Sequence, residues 1–208
     1  MTSVEAGQYL AVPFRYDERR AAVNERLIAG CLELPNLFPI PLDELSRKIA
    51  VAAWLTDANH LFFEVWHNRT IVGILGLTRV VPGLDALAHF AFFDRQLLGR
   101  RKLVLSMMGW AFRELRLRRL SVEIPEHLEP LVRFARAKLG FRYEGEVRCA
   151  DHREVQALAA RRIHGPARWV ARWGARRESS HFDGSTWRDL TCLRLLREEF
   201  EAMTNGAK

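Results

Sequence analysis

The residues best suited to chemistry lie near the middle of the chain, between an apolar run and a helical pattern. Residues 88–93 have the length of a β-strand, and apolar residues recur at helical spacing from position 103 to 112. The segment between them, with the start of the helix, contains Gln96, Leu97, Leu98, Gly99, Arg100, Arg101 and Lys102. Its glycine lets the backbone approach another molecule closely.

The start of this helix is suited to bind an anion. The first amides of a helix have no intrahelical partner, the helix dipole favours negative charge there, and three basic side chains lie beside them. The pattern predicts a diphosphate bound over the loop. The alternative is a charged helix start that only faces solvent.

The flanking segments alternate between helix-like and strand-like patterns. Residues 8–12 predict a first strand, and residues 17–31 and 42–55 predict two amphipathic helices, the second burying Leu45, Ile49, Ala52 and Ala53. Two β-rich runs, 60–66 and 70–78, flank a short polar turn and predict a hairpin. A strand at 118–125 stops at a proline, and a helix at 126–139 ends at Gly140, as a left-handed C-terminal position requires.

Several of these segments resemble the GNAT superfamily of acyl-CoA-dependent N-acyltransferases. The spacing Gln96-x-x-Gly99-x-Arg101 is similar to the family's pyrophosphate loop, Q/R-x-x-G-x-G/A. The end of the domain is similar too, in the run Lys138-Leu139-Gly140-Phe141-x-x-Glu144-Gly145. The resemblance is closest to the ribosomal-protein alanine acetyltransferases, and its C-terminal part is Asp183-Gly184-x-x-x-Arg188-Asp189-x-x-x-Leu193-x-Leu195-Leu196-Arg197-x-Glu199.

The resemblance implies an α/β (α+β) architecture, the GNAT fold. We expect a central mixed, mostly antiparallel, twisted sheet of six to seven strands with helices on both faces. It implies transfer of an acetyl group from acetyl-CoA to a primary amine of a protein or small molecule. The main chain of Ala91, Phe92 and Phe93 would hold the pantetheine arm, and the loop from Gln96 to Lys102 would hold the diphosphate.

A base that removes a proton from the amine should lie on the strands facing the cleft. His89 precedes Ala91 by two residues, and an unperturbed histidine titrates near neutral pH. Glu123 on the next strand is the second candidate, and Asp94 is a rival, while Glu64 is more remote. A histidine that is only hydrogen-bonded on a half-buried strand is the alternative interpretation of His89.

Three positions depart from the family pattern. Arg101 stands where the family has Gly or Ala. Arg136 stands where many members have a tyrosine that protonates the leaving thiolate. Glu129 stands where the branch that acetylates protein N-termini has an asparagine. These departures support a second hypothesis, a GNAT-fold module that has lost its cofactor and serves in a larger assembly. That hypothesis predicts Arg101 or nearby side chains in the diphosphate position.

Length and composition are those of an ordinary globular protein. The 208 residues include 49% hydrophobic and 27% charged residues, and the net charge is +7. A basic balance is compatible with nucleic acid, an acidic partner or an anionic cofactor. Three scattered cysteines predict a reduced, cytoplasmic protein, and the histidine spacing gives no metal motif. No apolar run has membrane-spanning length, so no membrane partner is expected.

An arginine-rich segment interrupts the GNAT pattern. We assign residues 1–148 to the core, 149–180 to a basic insertion between the last two strands, and 181–208 to the final strand and helix. The insertion places Trp169 and Trp173 at i and i+4, each directly after an arginine, Arg168 and Arg172. The tryptophans could dock on the domain while the arginines face solvent. Nucleic-acid binding, protein docking and homo-oligomerisation are the alternatives.

Overall fold

The computed structural model describes residues 2–34, 43–93, 99–147, 181–182, 187–188 and 190–206. The first elements in chain order are β1 (Val4–Ala6), β2 (Tyr9–Pro13), α1 (Ala21–Leu32), α2 (Glu44–Thr56), β3 (Leu61–His67), β4 (Thr70–Val81), β5 (Asp85–Phe92) and α3 (Arg100–Glu114). They are followed by β6 (Arg119–Pro125), α4 (Glu129–Leu139), β7 (Arg142–Val147), β8 (His181–Phe182), β9 (Trp187–Arg188), β10 (Leu190–Leu196) and α5 (Arg197–Asn205). Short 3-10 turns, Glu18–Arg20 and Glu126–Leu128, precede α1 and α4.

Eight strands form one sheet in the order β1-β2-β3-β4-β5-β6-β10-β7, and β8 and β9 pair separately. Every neighbouring pair in the large sheet is antiparallel except β5 and β6, which are parallel. This confirms the predicted mixed, mostly antiparallel sheet. The strand count exceeds the prediction because Gly7, at φ +64, turns the chain into a hairpin where one strand was expected.

Helices cover both faces of the sheet, as predicted. On one face, here called the α3 face, the buried side chains of α3, α4 and α5 pack against the strands; they include Leu103, Phe112, Ala135, Leu139 and Phe200. On the other, here called the α1–α2 face, helices α1 and α2 pack over β3, β4 and β5 through Leu27, Cys31, Val51, Leu55, Phe62 and Ile74. Burial of apolar surface on both faces stabilises the sheet.

The buried side of α2 differs from the prediction. Leu45 and Ile49 are 67% and 42% exposed, whereas Val51 and Leu55 are buried. The helix begins after Asp43, whose carboxylate accepts a hydrogen bond from the Ser46 amide at 2.9 Å. Positions 49 and 51 lie about 200° apart around a helix, so packing through Val51 turns the Leu45 side to solvent.

The parallel pair of β5 and β6 is short, and this creates a gap in the sheet. Pairing covers only residues 85–87 of β5 and 119–121 of β6. Beyond them β5 continues to pair with β4 and β6 with β10, so the two strands diverge. At the closed end Arg119 donates from Nε and Nη2 to Asp85 Oδ2 at 3.0 and 2.5 Å. Ser121 Oγ donates to the same carboxylate at 3.4 Å, so side chains reinforce the short stretch in which the two backbones pair.

We predict that Asp85→Ala lowers the free energy of unfolding by about 1–2 kcal/mol, because it leaves the Arg119 guanidinium without this part-buried carboxylate. Urea unfolding measures the change. Glu44→Ala is the control: it removes a carboxylate from an exposed ion pair with Lys48 and should barely shift the urea midpoint. Equal shifts in the two variants would contradict a special role for Asp85.

Candidate functional site

The gap beyond residue 87 exposes main-chain groups in the middle of the sheet. The Phe93 amide donates to the Val72 carbonyl at 2.9 Å, which directs residue 93 toward β4. Bonding direction alternates along an antiparallel strand, so Ala91 also bonds toward β4, while the main-chain groups of Phe92 and Phe90 point into the gap. Of the strand residues predicted for the pantetheine arm, Phe92 is the one whose main chain faces the gap.

The first turn of α3 lies directly after the loop predicted to bind a diphosphate. Gly99 precedes the helix at φ +77, a conformation that favours glycine. Arg100 stacks over the Phe92 ring at 5.6 Å. The Nε of Arg101 donates to the Lys138 carbonyl in the last turn of α4 at 2.8 Å, so this side chain turns toward α4. Gln96, Leu97 and Leu98, together with Asp94, lie outside the described residues.

An open cavity of about 280 Å³ lies beside this helix start. Its lining residues come from the β1–β2 turn and from α3: Ala6, Gly7, Gln8, Tyr9, Gly99 and Lys102. The Lys102 side chain is exposed there, and its amide bonds to the Gly99 carbonyl at 3.0 Å. Lys102 and the positive end of the helix dipole favour an anion at this end of the cavity.

Phe93, the residue before the loop, is held by α1. The Arg26 guanidinium lies 5.2 Å from the centre of its ring. A Cβ added at Gly30 would lie 2.4 Å from ring atoms, so α1 approaches Phe93 as closely as only glycine permits. The end of β5 and the helix covering the α1–α2 face are therefore in direct contact.

His89 lies on the α1–α2 face, within a cluster of aromatic side chains. Its Nε2 lies 2.8 Å from Thr78 Oγ1, and its ring meets the Trp54 ring edge-on at 5.5 Å. Burial lowers the pKa of His89 from 6.5 to about 3, with smaller contributions from His60 and Arg79. The imidazole is therefore neutral at physiological pH.

Glu123 lies on the same face, on the β6 side of the gap. Its Oε1 accepts a hydrogen bond from Arg79 Nη1 at 2.9 Å, and the carboxylate side chain is 21% exposed. Cys192 on β10 is its direct cross-strand neighbour. The structure thus brings His89 and Glu123 to one face, with Arg79 near both. Sequence reasoning missed Arg79, Thr78 and Trp54, because no motif marks them and they meet only through strand order.

Glu64 has a different environment, although it also lies on a central strand. It is fully buried, its Oε2 accepts from Arg20 Nη2 at 2.7 Å, and Trp66 Nε1 donates to the same oxygen at 2.9 Å. This buried ion pair joins the start of α1 to β3. A carboxylate engaged in this way is a structural anchor, remote from the gap.

The remaining predicted positions lie on the surface or outside the described residues. Arg136 is exposed on α4, and Glu129 lies 3.5 Å from Arg133 one turn later. The insertion, with Arg168, Trp169, Arg172 and Trp173, is outside the described residues. Within the described part of the chain, no His, Cys, Asp and Glu group of three or more could hold a metal. No helix of that part is long and apolar enough to cross a membrane.

The fold matches solved acetyltransferases. A GCN5-related N-acetyltransferase from Brucella melitensis aligns with a TM-score of 0.65 and 18% identity over 98% of this chain and 82% of that chain. A GNAT-family acetyltransferase from Bacillus anthracis gives 0.59 and 14% over 95% and 99%. Spermidine N-acetyltransferase from Vibrio cholerae, solved with CoA and spermine, gives 0.62 and 12% over 93% and 98%. No protein-family model and no curated protein matches the sequence. The chain therefore has the GNAT fold.

We predict that His89 makes the protein sensitive to acid. Because its folded-state pKa lies below the unfolded value, its contribution to stability is complete above pH 6.5 and is lost as pH falls toward about 3. Within that window the loss approaches about 1.4 kcal/mol per pH unit. Urea unfolding of wild type and His89→Gln at several pH values measures it. A stability difference between the two that does not depend on pH would contradict the lowered pKa of His89.

Proposed function

We propose that this protein is an acyl-CoA-dependent N-acetyltransferase that moves an acetyl group from acetyl-CoA to a primary amine. The observation that carries the proposal is the gap between β5 and β6, which opens beside the start of α3. A thioester arm can extend along the unpaired edge of β5 while its diphosphate meets the helix start. The Vibrio cholerae protein with the same fold binds CoA, which supports this assignment.

Binding of the co-substrate would use two parts of the chain. Main-chain groups of Phe92 and Phe90 would hydrogen-bond the pantetheine amides, as a neighbouring strand does. The loop from Gln96 to Lys102 would hold the diphosphate, with amides at the helix start and the charge of Lys102. The Arg101 side chain is hydrogen-bonded to α4. It therefore does not fill the diphosphate position in this conformation, as the hypothesis of a module without cofactor predicts that it would.

We assign the base to Glu123 and a positioning role to His89. The Nε2 atom of His89 is engaged with Thr78 at 2.8 Å and its ring packs edge-on against Trp54, so this imidazole is poorly placed to accept a proton from an acceptor. Glu123 faces the α1–α2 side of the gap and reaches solvent. Its carboxylate could accept a proton from the acceptor's ammonium directly or through one water.

The transfer needs few protein groups beyond these. Acetyl-CoA supplies an activated carbonyl carbon. Glu123 removes one proton from the ammonium, and the amine nitrogen bonds to that carbon. The C–S bond then breaks, and the departing thiolate takes up the second proton that the nitrogen loses. A gap-facing amide of β5 would stabilise the oxyanion that forms between these two steps. Holding both reactants in one gap lowers the entropic part of the barrier.

The acceptor class is part of the proposal. The sequence resemblance to the ribosomal-protein alanine acetyltransferases suggests a protein N-terminus or a small amine. The spermine bound by the Vibrio cholerae protein supports the small-amine alternative. We infer a cytoplasmic location from the reduced cysteines that the sequence predicts. Among the described residues, Cys31 is a buried cysteine outside any disulfide.

We predict that acetyl-CoA binds and that Lys102→Glu weakens binding at least about tenfold, because it replaces a phosphate-facing cation by an anion. Isothermal titration calorimetry at fixed salt measures both affinities. Lys48→Glu is the matched control, since Lys48 lies on α2 in an exposed pair with Glu44. Absence of wild-type binding at millimolar acetyl-CoA would instead favour a GNAT-fold module without the cofactor.

We predict that Glu123→Gln lowers kcat for acetyl transfer about 100-fold or more while acetyl-CoA affinity is unchanged, because the variant loses the proton acceptor and keeps the gap. Steady-state assays of CoA release over a panel of primary amines measure kcat. Glu114→Gln, at the exposed end of α3, is the control and should retain wild-type rates. Unchanged turnover in Glu123→Gln would remove Glu123 from the mechanism.

A further inference from the structure

The ion pair between Arg79 and Glu123 crosses a strand. Arg79 follows the β4 segment that pairs with β5, and Glu123 lies on β6, so the side chains meet over β5. Two strand spacings amount to about 9.6 Å, which an extended arginine can span. The crossing lies on the α1–α2 face, just beyond Leu87 and Ser121, the last residues at which β5 and β6 pair. The arginine therefore reaches across β5 at the end of the gap next to the paired residues.

The backbone is distorted to aim this side chain. The register of β4 and β5 shifts between Thr78 and Val81, and Arg79 lies at φ +50. A non-glycine residue in the left-handed region is strained, and such strain is concentrated at functional sites. The neighbouring Thr78 pairs with His89, so the bulge directs two consecutive side chains into the cluster around the gap.

The charges around Glu123 leave its carboxylate paired with Arg79. His89 is neutral at physiological pH, and Cys192 is the residue opposite Glu123 on β10. Two further arginines on this face are bonded to other carboxylates: Arg119 to Asp85 and to Glu144 at 3.0 Å, and Arg194 to Glu199 at 2.9 Å. The Arg79 side chain is 58% exposed, and an ion pair that reaches solvent is weak and easily exchanged.

We propose that Arg79 is an internal stand-in for the acceptor. Its guanidinium occupies Glu123 in the unliganded protein, and an acceptor entering as an alkylammonium cation displaces it. This inference rests on the proposed function and narrows its substrate class to amines that are protonated when they bind. A neutral compound of the same shape has no charge with which to replace the guanidinium. The half-buried rings of Trp54 and His60 lie on the same face and would contact the hydrocarbon part of the acceptor.

The test measures cation binding without turnover. Hexylammonium chloride and its neutral counterpart hexan-1-ol are titrated into wild type, Arg79→Gln, Glu123→Gln and the double variant by calorimetry at constant ionic strength. Arg79→Gln should bind hexylammonium about fivefold tighter than wild type, since removing a solvent-reaching ion-pair partner frees Glu123. Glu123→Gln should bind it more weakly, and adding Arg79→Gln to that variant should change nothing. Hexan-1-ol should not distinguish wild type from Arg79→Gln.

Two further variants guard against indirect effects. Arg79→Gly removes the side chain and suits the left-handed backbone, so it should fold at least as well and bind hexylammonium as tightly as Arg79→Gln. Arg133→Gln removes one positive charge from an exposed pair on α4 and should bind like wild type. Hexylammonium affinity that is unchanged or weaker in both Arg79 variants would overturn the proposal.

The outcome is separable from that of the proposed function. Acetyl-CoA could bind and turnover could depend on Glu123 while hexylammonium affinity is the same with and without Arg79. The proposed displacement of Arg79 would then be wrong, and the proposed transferase activity would stand. If hexylammonium competes with Arg79 but acetyl-CoA does not bind, the proposed cation site is supported and the proposed transferase activity is wrong. Both measurements use the full chain.

Discussion

The structure depends on a parallel strand pairing that stops after three residues. Once β5 and β6 separate, each keeps its other neighbour, and the groups between them face each other across open space. Buried backbone groups without partners are costly, so such an opening inside a sheet persists only where water or a ligand satisfies it. The Asp85–Arg119 contact fastens the closed end. The opening is thus confined to the stretch that leads toward α3.

The two faces of the sheet have different roles around this opening. The α3 face is packed with apolar side chains from three helices, and it makes the sheet rigid. The α1–α2 face combines an apolar cluster with polar groups that are bonded in pairs: Thr78 with His89, and Arg79 with Glu123. A rigid support beneath and exchangeable polar contacts above suit a site that must bind and release small molecules.

Local chemistry made much of the fold predictable from the sequence. Gly140 ends α4 at φ +80 as its position required, and Asn68 and Arg69, at positive φ, form the turn of the predicted hairpin. The contacts of the site could not be predicted. Arg79 and Glu123 are 44 residues apart, and their meeting depends on strand order and on a bulge that no local signal marks. The predicted buried face of α2 was wrong because this helix carries two apolar stripes. Tertiary packing buries the stripe that contains Val51.

The close approach of α1 to the end of β5 has a thermodynamic consequence. The Phe93 ring rests against Gly30 of α1, the helix on the proposed acceptor side, and residue 93 directly precedes the loop proposed to bind the diphosphate. Two ligands that act on one shared element influence each other's affinity equally, since free-energy coupling is reciprocal. A ligand that shifts α1 would therefore act on Phe93, the last described residue before the loop. In a transferase built on this scaffold, cooperativity between donor and acceptor would originate at that single aromatic ring.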